Sequence, residues 1–437
     1  MKSIYNYLVD WEKSDPNFIF LNCNKKYTVS DTLYQIDSIA KSLEYIPDNF
    51  IAIHVDSSID TIFLYLACIK TNKTPILFQT SWSKNELDYL IKRYEIKHII
   101  SQWKSRDFFN DSATVYYLEE LINSSRGCGI PTNSNSNSNP ECILFTSGST
   151  GLPKAVSLDS KNFYYSSIAW NEKIKFHSND SYLLCLPLHH ISGLSILYRA
   201  IYNRFNIQII SSYRDLIKYS GTVISLVPSM LNRLIENPSY IERLSLFRSI
   251  IIGGEPAKVS VLEKCLEFNL NVFVSYGMTE TCSGIAGFWI KDYPQALSSS
   301  GNPFNGVKIS IVDNRISISS KMNMRGYYMD KTQEGVIITS DLGRIENNFV
   351  YIDGRDKNIA ISGGENININ YVKNILLEHS SVESVSIKIT KDSDWGESIE
   401  ADLILNSNRL NSNDIREWCR LKMPQYYIPK VIRVVTK

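Results

Sequence analysis

The stretch 145–156 reads FTSGSTGLPKAV. It brings together the hydroxyls of Thr146, Ser147, Ser149 and Thr150, the glycines Gly148 and Gly151, and the amine of Lys154. Hydroxyls and backbone N–H groups can wrap a phosphate, and glycines let the backbone approach it closely. A Walker loop needs its lysine directly after the second glycine and a Ser or Thr after that. Here Leu152 and Pro153 separate Gly151 from Lys154, and Ala155 stands where the hydroxyl should be. A phosphate loop of a different kind is one reading of these residues; an ordinary Ser/Gly-rich turn is the other.

Further glycine, hydroxyl and acid clusters follow. SYGMTE supplies Tyr276, Gly277, Thr279 and Glu280; TSDLG supplies Asp341; YIDGR supplies Arg355. GGEP supplies Gly253, Gly254 and Glu255, and SGGENI supplies Ser362, Gly363, Gly364 and Glu365. Taken singly, Glu280 could be a solvated acid at a helix start, and Asp341 with Arg355 a surface ion pair of little energetic weight.

Several of these clusters fall at loop positions after predicted strands, and open α/β sheets bind ligands beyond the carboxyl ends of their strands. Strand 51–55 is followed by an amphipathic helix over 58–71, then strand 75–78, helix 83–94 and strand 98–100. Apolar runs recur at 142–145, 181–186, 207–210, 223–226, 250–252 and 271–274. Such alternation predicts parallel sheets covered by helices. Past Gly301 the pattern changes: 307–312 and 315–319 alternate as strands about a tight turn at Asn314, and 336–338 precedes TSDLG. The tract NSNSNSN at 133–139 reads as a flexible connection ahead of the glycine loop. A break at GRDKN suggests a boundary at Asn358, which divides the chain into 1–357 and 358–437.

The 437 residues are enough for a large core and more than one domain. A net charge of +1 gives no reason to expect nucleic acid or an anionic membrane as partner. No apolar run is long enough to cross a bilayer, and residues 1–10 lack the apolar core of a signal peptide. The eight cysteines show neither C-x-x-C nor zinc spacing, as expected for reduced thiols in a cytoplasm.

TSGSTGLPK, YGMTE, TSDLG, GR and SGGENI stand in the order found in adenylate-forming enzymes: acyl- and aryl-CoA ligases, peptide-synthetase adenylation domains and luciferases. Within that superfamily the chain most resembles the o-succinylbenzoate–CoA ligases, through LPLHHISGLSILYRA, SLVPSMLNRL, YGMTETCS and ISGGENI. The resemblance implies an α/β fold: a large N-terminal AMP-binding domain of two packed α/β sheets plus a small distorted barrel, then a small α+β C-terminal lid. It implies that a carboxylate attacks the α-phosphorus of ATP, and that a thiol of CoA or of phosphopantetheine then displaces AMP. The 146–154 loop would wrap the β- and γ-phosphates. Glu280 would bind Mg²⁺ with Thr279 on the phosphate, and Asp341 would accept the ribose hydroxyls with Arg355 nearby. Tyr276, Gly277, Gly254 and Glu255 would line the nucleotide site. His190 would lie beside the reacting carboxylate, with Gly193 and Gly253 along the acyl pocket. Ser362, Gly363, Gly364 and Glu365 would face the pantetheine tunnel. Arg199 lies on an otherwise apolar segment and would either meet a second substrate carboxylate or snorkel to the surface.

The sequence departs from the family pattern in three places. Asn358 stands at a hinge usually occupied by Asp, and Ser340 replaces a usual glycine. Pro429-Lys430 is present, but no P-x-T-x-x-G-K loop follows it before Lys437, so a shortened lid is expected. The family uses the lysine of that loop in adenylation. The leading expectation is therefore activation of a small aryl or acyl carboxylic acid to a CoA or carrier-protein thioester. One alternative is a remodelled homologue of a polyketide-type pathway that lacks full adenylation and acts on a pantetheine thiol or acyl carrier protein. The other is a non-catalytic binding partner.

Overall fold

The structure is a computed structural model that describes residues 1–104, 109, 112–123, 139–147, 153–330, 335–355, 359–406 and 411–434. The side chains of Asn123, Ser147 and Arg355 lie outside that description. So do several sequence expectations: Gly148, Ser149, Thr150 and Gly151, most of the Asn/Ser tract, the hinge Asn358 and the terminal Lys437.

Two large sheets carry the first 300 residues or so. In one, the strands Phe50–His54, Thr74–Leu77, His98–Ser101, Thr114–Tyr117 and Cys142–Ser147 run parallel, and Pro153–Leu158 and Gly326–Tyr327 extend the edge antiparallel. In the other, a parallel centre of Asn206–Ile209, Ser181–Leu184, Val223–Leu226, Ser249–Ile252 and Val272–Met278 is bordered by antiparallel Ser283–Trp289. Central strands such as Ser249–Ile252 are buried at every position, and a sheet covered on both faces requires such continuous apolar runs.

Between strands the helices begin where the sequence supplies caps. Thr28 and Ser83 each form a reciprocal capping box, with Asp31 and Glu86 respectively. Ser58 accepts from Thr61 N at the start of Ile59–Lys70, a helix buried along most of its length. One side-chain network joins distant segments here. Buried Glu141 accepts from Ile4 N (3.2 Å), from Tyr198 Oη (3.3 Å) and from Ser160 Oγ.

The strands expected around Asn314 form a four-stranded antiparallel sheet: Val307–Val312, Arg315–Ser320, Val336–Glu346 and Phe349–Arg355. Asp313 and Asn314 turn it at positive φ, which Asn and Asp tolerate better than other side chains. TSDLG was expected in a loop, but it lies inside the long strand Val336–Glu346. In the same way SYGMTE continues the strand Val272–Met278 until a short 3₁₀ turn at Thr279–Thr281. Both extensions have the same cause, because a neighbouring strand takes up the backbone hydrogen bonds that a loop would have left to water.

Residues from Ile359 onward build a separate small α+β sheet with its own core, which includes Ala360, Val372, Leu376, Ala401, Leu403, Ile415 and Cys419. Among the described residues no helix is long and apolar enough to cross a membrane.

Candidate active site

Tyr276 and Asp341 come from different sheets and meet directly. The phenol donates to Asp341 Oδ2 at 2.6 Å. Asp341 is 2% exposed, and its backbone N–H is held by Thr339 Oγ1 at 3.1 Å. Arg355 pairs with Asp341 across adjacent strands, so the two residues expected near a ribose share one rung. Gly277 and Gly284 are also cross-strand partners, and a Cβ on Gly277 would lie 2.1 Å from the Ser283 carbonyl oxygen. That approach is closed to any residue but glycine.

Glu280 sits in the 3₁₀ turn beyond Tyr276. Its carboxylate accepts from Tyr327 Oη at 3.0 Å, and its carbonyl from Met324 N at 2.7 Å. Lys154 lies on the hairpin strand that follows the glycine loop, with Thr146 as its cross-strand partner. Its ammonium stands 5.1 Å from the centre of the Tyr327 ring. Nothing in the sequence singled out Tyr327, whose place between Lys154 and Glu280 depends on a two-residue strand pairing with Pro153–Leu158.

Arg199 does not snorkel. It lies in the helix Ile191–Asn203 at 2% exposure, with its guanidinium 4.0 Å over the Trp170 ring and one nitrogen donating to Ser283 Oγ at 2.8 Å. A second polar neighbour is the Tyr182 phenol, itself hydrogen-bonded to Ser225 Oγ at 2.6 Å. Among the described residues, Nε of Arg199 has no hydrogen-bond partner. Burial lowers the guanidinium pKa, but arginine keeps its proton in proteins, so this is a buried cation. Burying a charge without a counter-charge is costly. Ser283 presents its hydroxyl from a positive φ of 92°, a strained position for a residue with a side chain.

His190 caps the same helix, and its carbonyl accepts from Gly193 N and Leu194 N. Gly193 lets the helix start against the preceding turn, since a Cβ there would lie 2.2 Å from Pro187 O. Beside His190, the His189 ring packs at 4.5 Å, and burial pushes the His189 pKa well down.

The Gly253–Glu255 turn packs on two partners. A Cβ on Gly253 would meet Ser275 Oγ at 2.5 Å, and Gly254 adopts φ +85°. Glu255, expected at the nucleotide, gives its carboxylate to Ser229, accepting from N and Oγ at 3.1 Å each. It thereby caps the helix Pro228–Leu234, and burial raises its pKa.

Ser362 and Glu365 close a hairpin between Ile359–Ser362 and Glu365–Asn368. Its turn is Gly363-Gly364 at φ +58° and +86°, the Gly-Gly signal of a two-residue hairpin. A Cβ on Gly363 would press on the Trp395 ring at 2.8 Å, and one on Gly364 would stand 3.7 Å from Glu255 Oε1. The hairpin therefore lies against the N-terminal part, and Glu365 Oε1 reaches 3.5 Å from His190 Nε2. Arg233 adds a second tie, stacking on Trp395 at 4.8 Å and donating to the Asp394 carbonyl at 3.3 Å.

The chain is similar to known proteins in both sequence and fold. The chain is 28% identical to the 2-succinylbenzoate–CoA ligase of Bacillus licheniformis, over 88% of this chain and 85% of that one. Among solved structures, it matches a double mutant of o-succinylbenzoate CoA synthetase from Bacillus subtilis bound with its product analogue OSB-NCoA. That match has a TM-score of 0.88 at 25% identity and covers 98% of this chain and 94% of the other. The Bacillus subtilis synthetase in complex with the acyl-adenylate intermediate OSB-AMP scores 0.74 at the same identity and coverage. Residues 9–328 match the AMP-binding enzyme family, and the chain belongs to that family.

Proposed function

We propose that this protein uses ATP to activate an aryl or bulky acyl carboxylic acid and passes the acyl group to the thiol of CoA, with 2-succinylbenzoate as the leading candidate acid. The observation that carries the reading is the His190–Glu365 contact, which brings the Gly-Gly hairpin of the lid onto the histidine expected beside the reacting carboxylate. The higher score against the product-analogue complex than against the acyl-adenylate complex supports a lid seated for thiol transfer. In this reading the lid is the unit 358–437, and it turns about Asn358.

The reaction has two displacements. A carboxylate oxygen attacks the α-phosphorus, the α–β bridging bond breaks, and pyrophosphate leaves with the bonding electrons. A thiol then adds to the acyl carbon, loses its proton and expels AMP. Both steps gain from fixed donors where charge develops. Asp341 accepts the ribose hydroxyls once the Tyr276 phenol gives way, and Arg355 and Gly254 border the same nucleotide. Lys154, Thr146, Ser147, Ser149 and Thr150, with Gly148 and Gly151 between them, hold the leaving phosphates, and Thr279 holds the reacting one. His190 orients the carboxylate. Gly193 and Gly253 leave room for the acyl chain, and Arg199 meets a second carboxylate on it. Ser362, Gly363 and Gly364 wall the thiol path. An acyl carrier protein would present the same phosphopantetheine thiol and is the alternative acceptor.

Magnesium fits one position. No group of three or more His, Cys, Asp or Glu among the described residues could hold an ion unaided. Magnesium on a nucleotide takes most ligands from phosphate and water and one or two from carboxylates, and Glu280 can be that carboxylate. When bound, the ion would neutralise phosphate charge. All seven cysteines among the described residues are free thiols. With the use of ATP and CoA, this supports a cytoplasmic location.

The test is carboxylate-dependent exchange of labelled pyrophosphate into ATP over a panel of aryl and acyl acids, with 2-succinylbenzoate among them. Exchange with one acid names the substrate class. If protein that binds ATP exchanges with none of them, the ligase reading fails. Arg199→Met should remove any preference for a diacid over the matching monoacid.

A further inference from the structure

One side chain touches both charged groups of the phosphate end of the site. The segment 324–328 is pinned on both sides: Met324 N donates to the Glu280 carbonyl at 2.7 Å, and Tyr328 N donates to the Ala155 carbonyl, next to Lys154, at 2.7 Å. Tyr327 is thereby fixed relative to both. Its hydroxyl donates to Glu280 Oε1 at 3.0 Å, and its ring face lies 5.1 Å from the Lys154 ammonium.

The charges on either side of that ring are opposite, and each is needed by a different part of a metal-bound nucleotide. A direct Lys154–Glu280 ion pair would spend both groups on each other, and a nucleotide would have to break it on entry. A phenol ring separates them while still favouring each. The ring face attracts a cation, and the hydroxyl gives the carboxylate a charge-assisted hydrogen bond that fixes its direction.

Resting on the nucleotide reading above, we propose that Tyr327 is a positioning residue. Its ring keeps Lys154 apart from Glu280, and its hydroxyl aims the Glu280 carboxylate at the metal of the incoming nucleotide. The two roles separate by substitution. Tyr327→Phe keeps the ring and loses only the aim; Tyr327→Leu loses both.

Calorimetric titration of ATP into the full chain, in EDTA and across a magnesium series, reads this without turnover. Tyr327→Phe should bind ATP in EDTA as the wild type does, yet need about tenfold more magnesium for half of the magnesium-dependent gain, a difference of about 1.4 kcal/mol. Tyr327→Leu should also weaken binding in EDTA, because Lys154 then pairs with Glu280. Adding Glu280→Gln to Tyr327→Leu should restore it. A wild-type magnesium requirement in Tyr327→Phe, or an equal loss with and without magnesium, overturns the proposal and leaves the nucleotide reading standing. A wild-type protein that binds no ATP in either condition overturns both. If Tyr327→Leu fails to fold, the Phe variant alone decides.

Discussion

Nε2 of His190 lies 3.5 Å from Oε1 of Glu365, and through this pair the C-terminal hairpin reaches the start of the helix Ile191–Asn203. Both side chains are partly solvent-exposed, so the contact itself adds little stability. In the proposed reading its value lies in position, because a hairpin held here would shape the approach of a thiol to the acyl carbon.

Removing that tie should therefore separate the half-reactions. Glu365→Gln is expected to slow acyl transfer from a preformed acyl-adenylate to CoA by about tenfold, equivalent to ~1.4 kcal/mol of barrier. Pyrophosphate exchange should stay within about twofold. Single-turnover kinetics of each half measures this, and an equal loss in both would show the pair to be merely structural.

Asp341 should dominate nucleotide affinity. Hydrogen bonds to a charged group contribute about 1.5–3 kcal/mol each. Asp341→Ala should therefore weaken ATP binding by about 10- to 100-fold in calorimetry. Tyr276→Phe removes the 2.6 Å hydrogen bond that occupies this carboxylate. It should leave binding unchanged or tighten it, and a loss as large as that of Asp341→Ala would refute the competition.

Stability should fall in mild acid through His54. Burial lowers its pKa from 6.5 to about 4, so the folded protein keeps the ring neutral where the unfolded chain has already taken up a proton. The contribution is complete above pH 6.5 and is lost as pH falls toward 4, by about 3 kcal/mol at pH 4. His189 shifts in the same direction. Urea unfolding of wild type and His54→Leu between pH 7 and pH 4 tests it. The wild-type curve should drop more steeply, and parallel curves would contradict the assignment.

Glu141 should be a stability residue with no direct part in catalysis. Its carboxylate accepts from Ile4 N, Tyr198 Oη and Ser160 Oγ in a buried site. Glu141→Ala leaves those donors unsatisfied and should cost about 2–4 kcal/mol in urea unfolding. The selectivity of pyrophosphate exchange among acids should not change.

Local pattern made much of this protein legible. The alternation of apolar runs and amphipathic stretches predicted the parallel sheets, because strand and helix periods are fixed by backbone geometry. Glycine-containing clusters marked the candidate site because glycine permits close backbone approach, and Gly363-Gly364 carried a hairpin signal in their identity alone. Loop boundaries were less legible. SYGM and TSDLG were expected to leave their strands, yet both continue as strand, since a partner distant in sequence supplies the hydrogen bonds.

The sequence by itself determined the family, the fold class and the order of the chemical groups along the chain. Tertiary structure decided what each group faces. It buried Arg199 on Trp170 where local sequence allowed a surface position equally well. It turned the Glu255 carboxylate onto Ser229, joined Tyr276 to Asp341 and set Tyr327 between Lys154 and Glu280. Each of these contacts joins residues far apart in the chain. Their distances depend on strand register and helix packing, which no local pattern encodes.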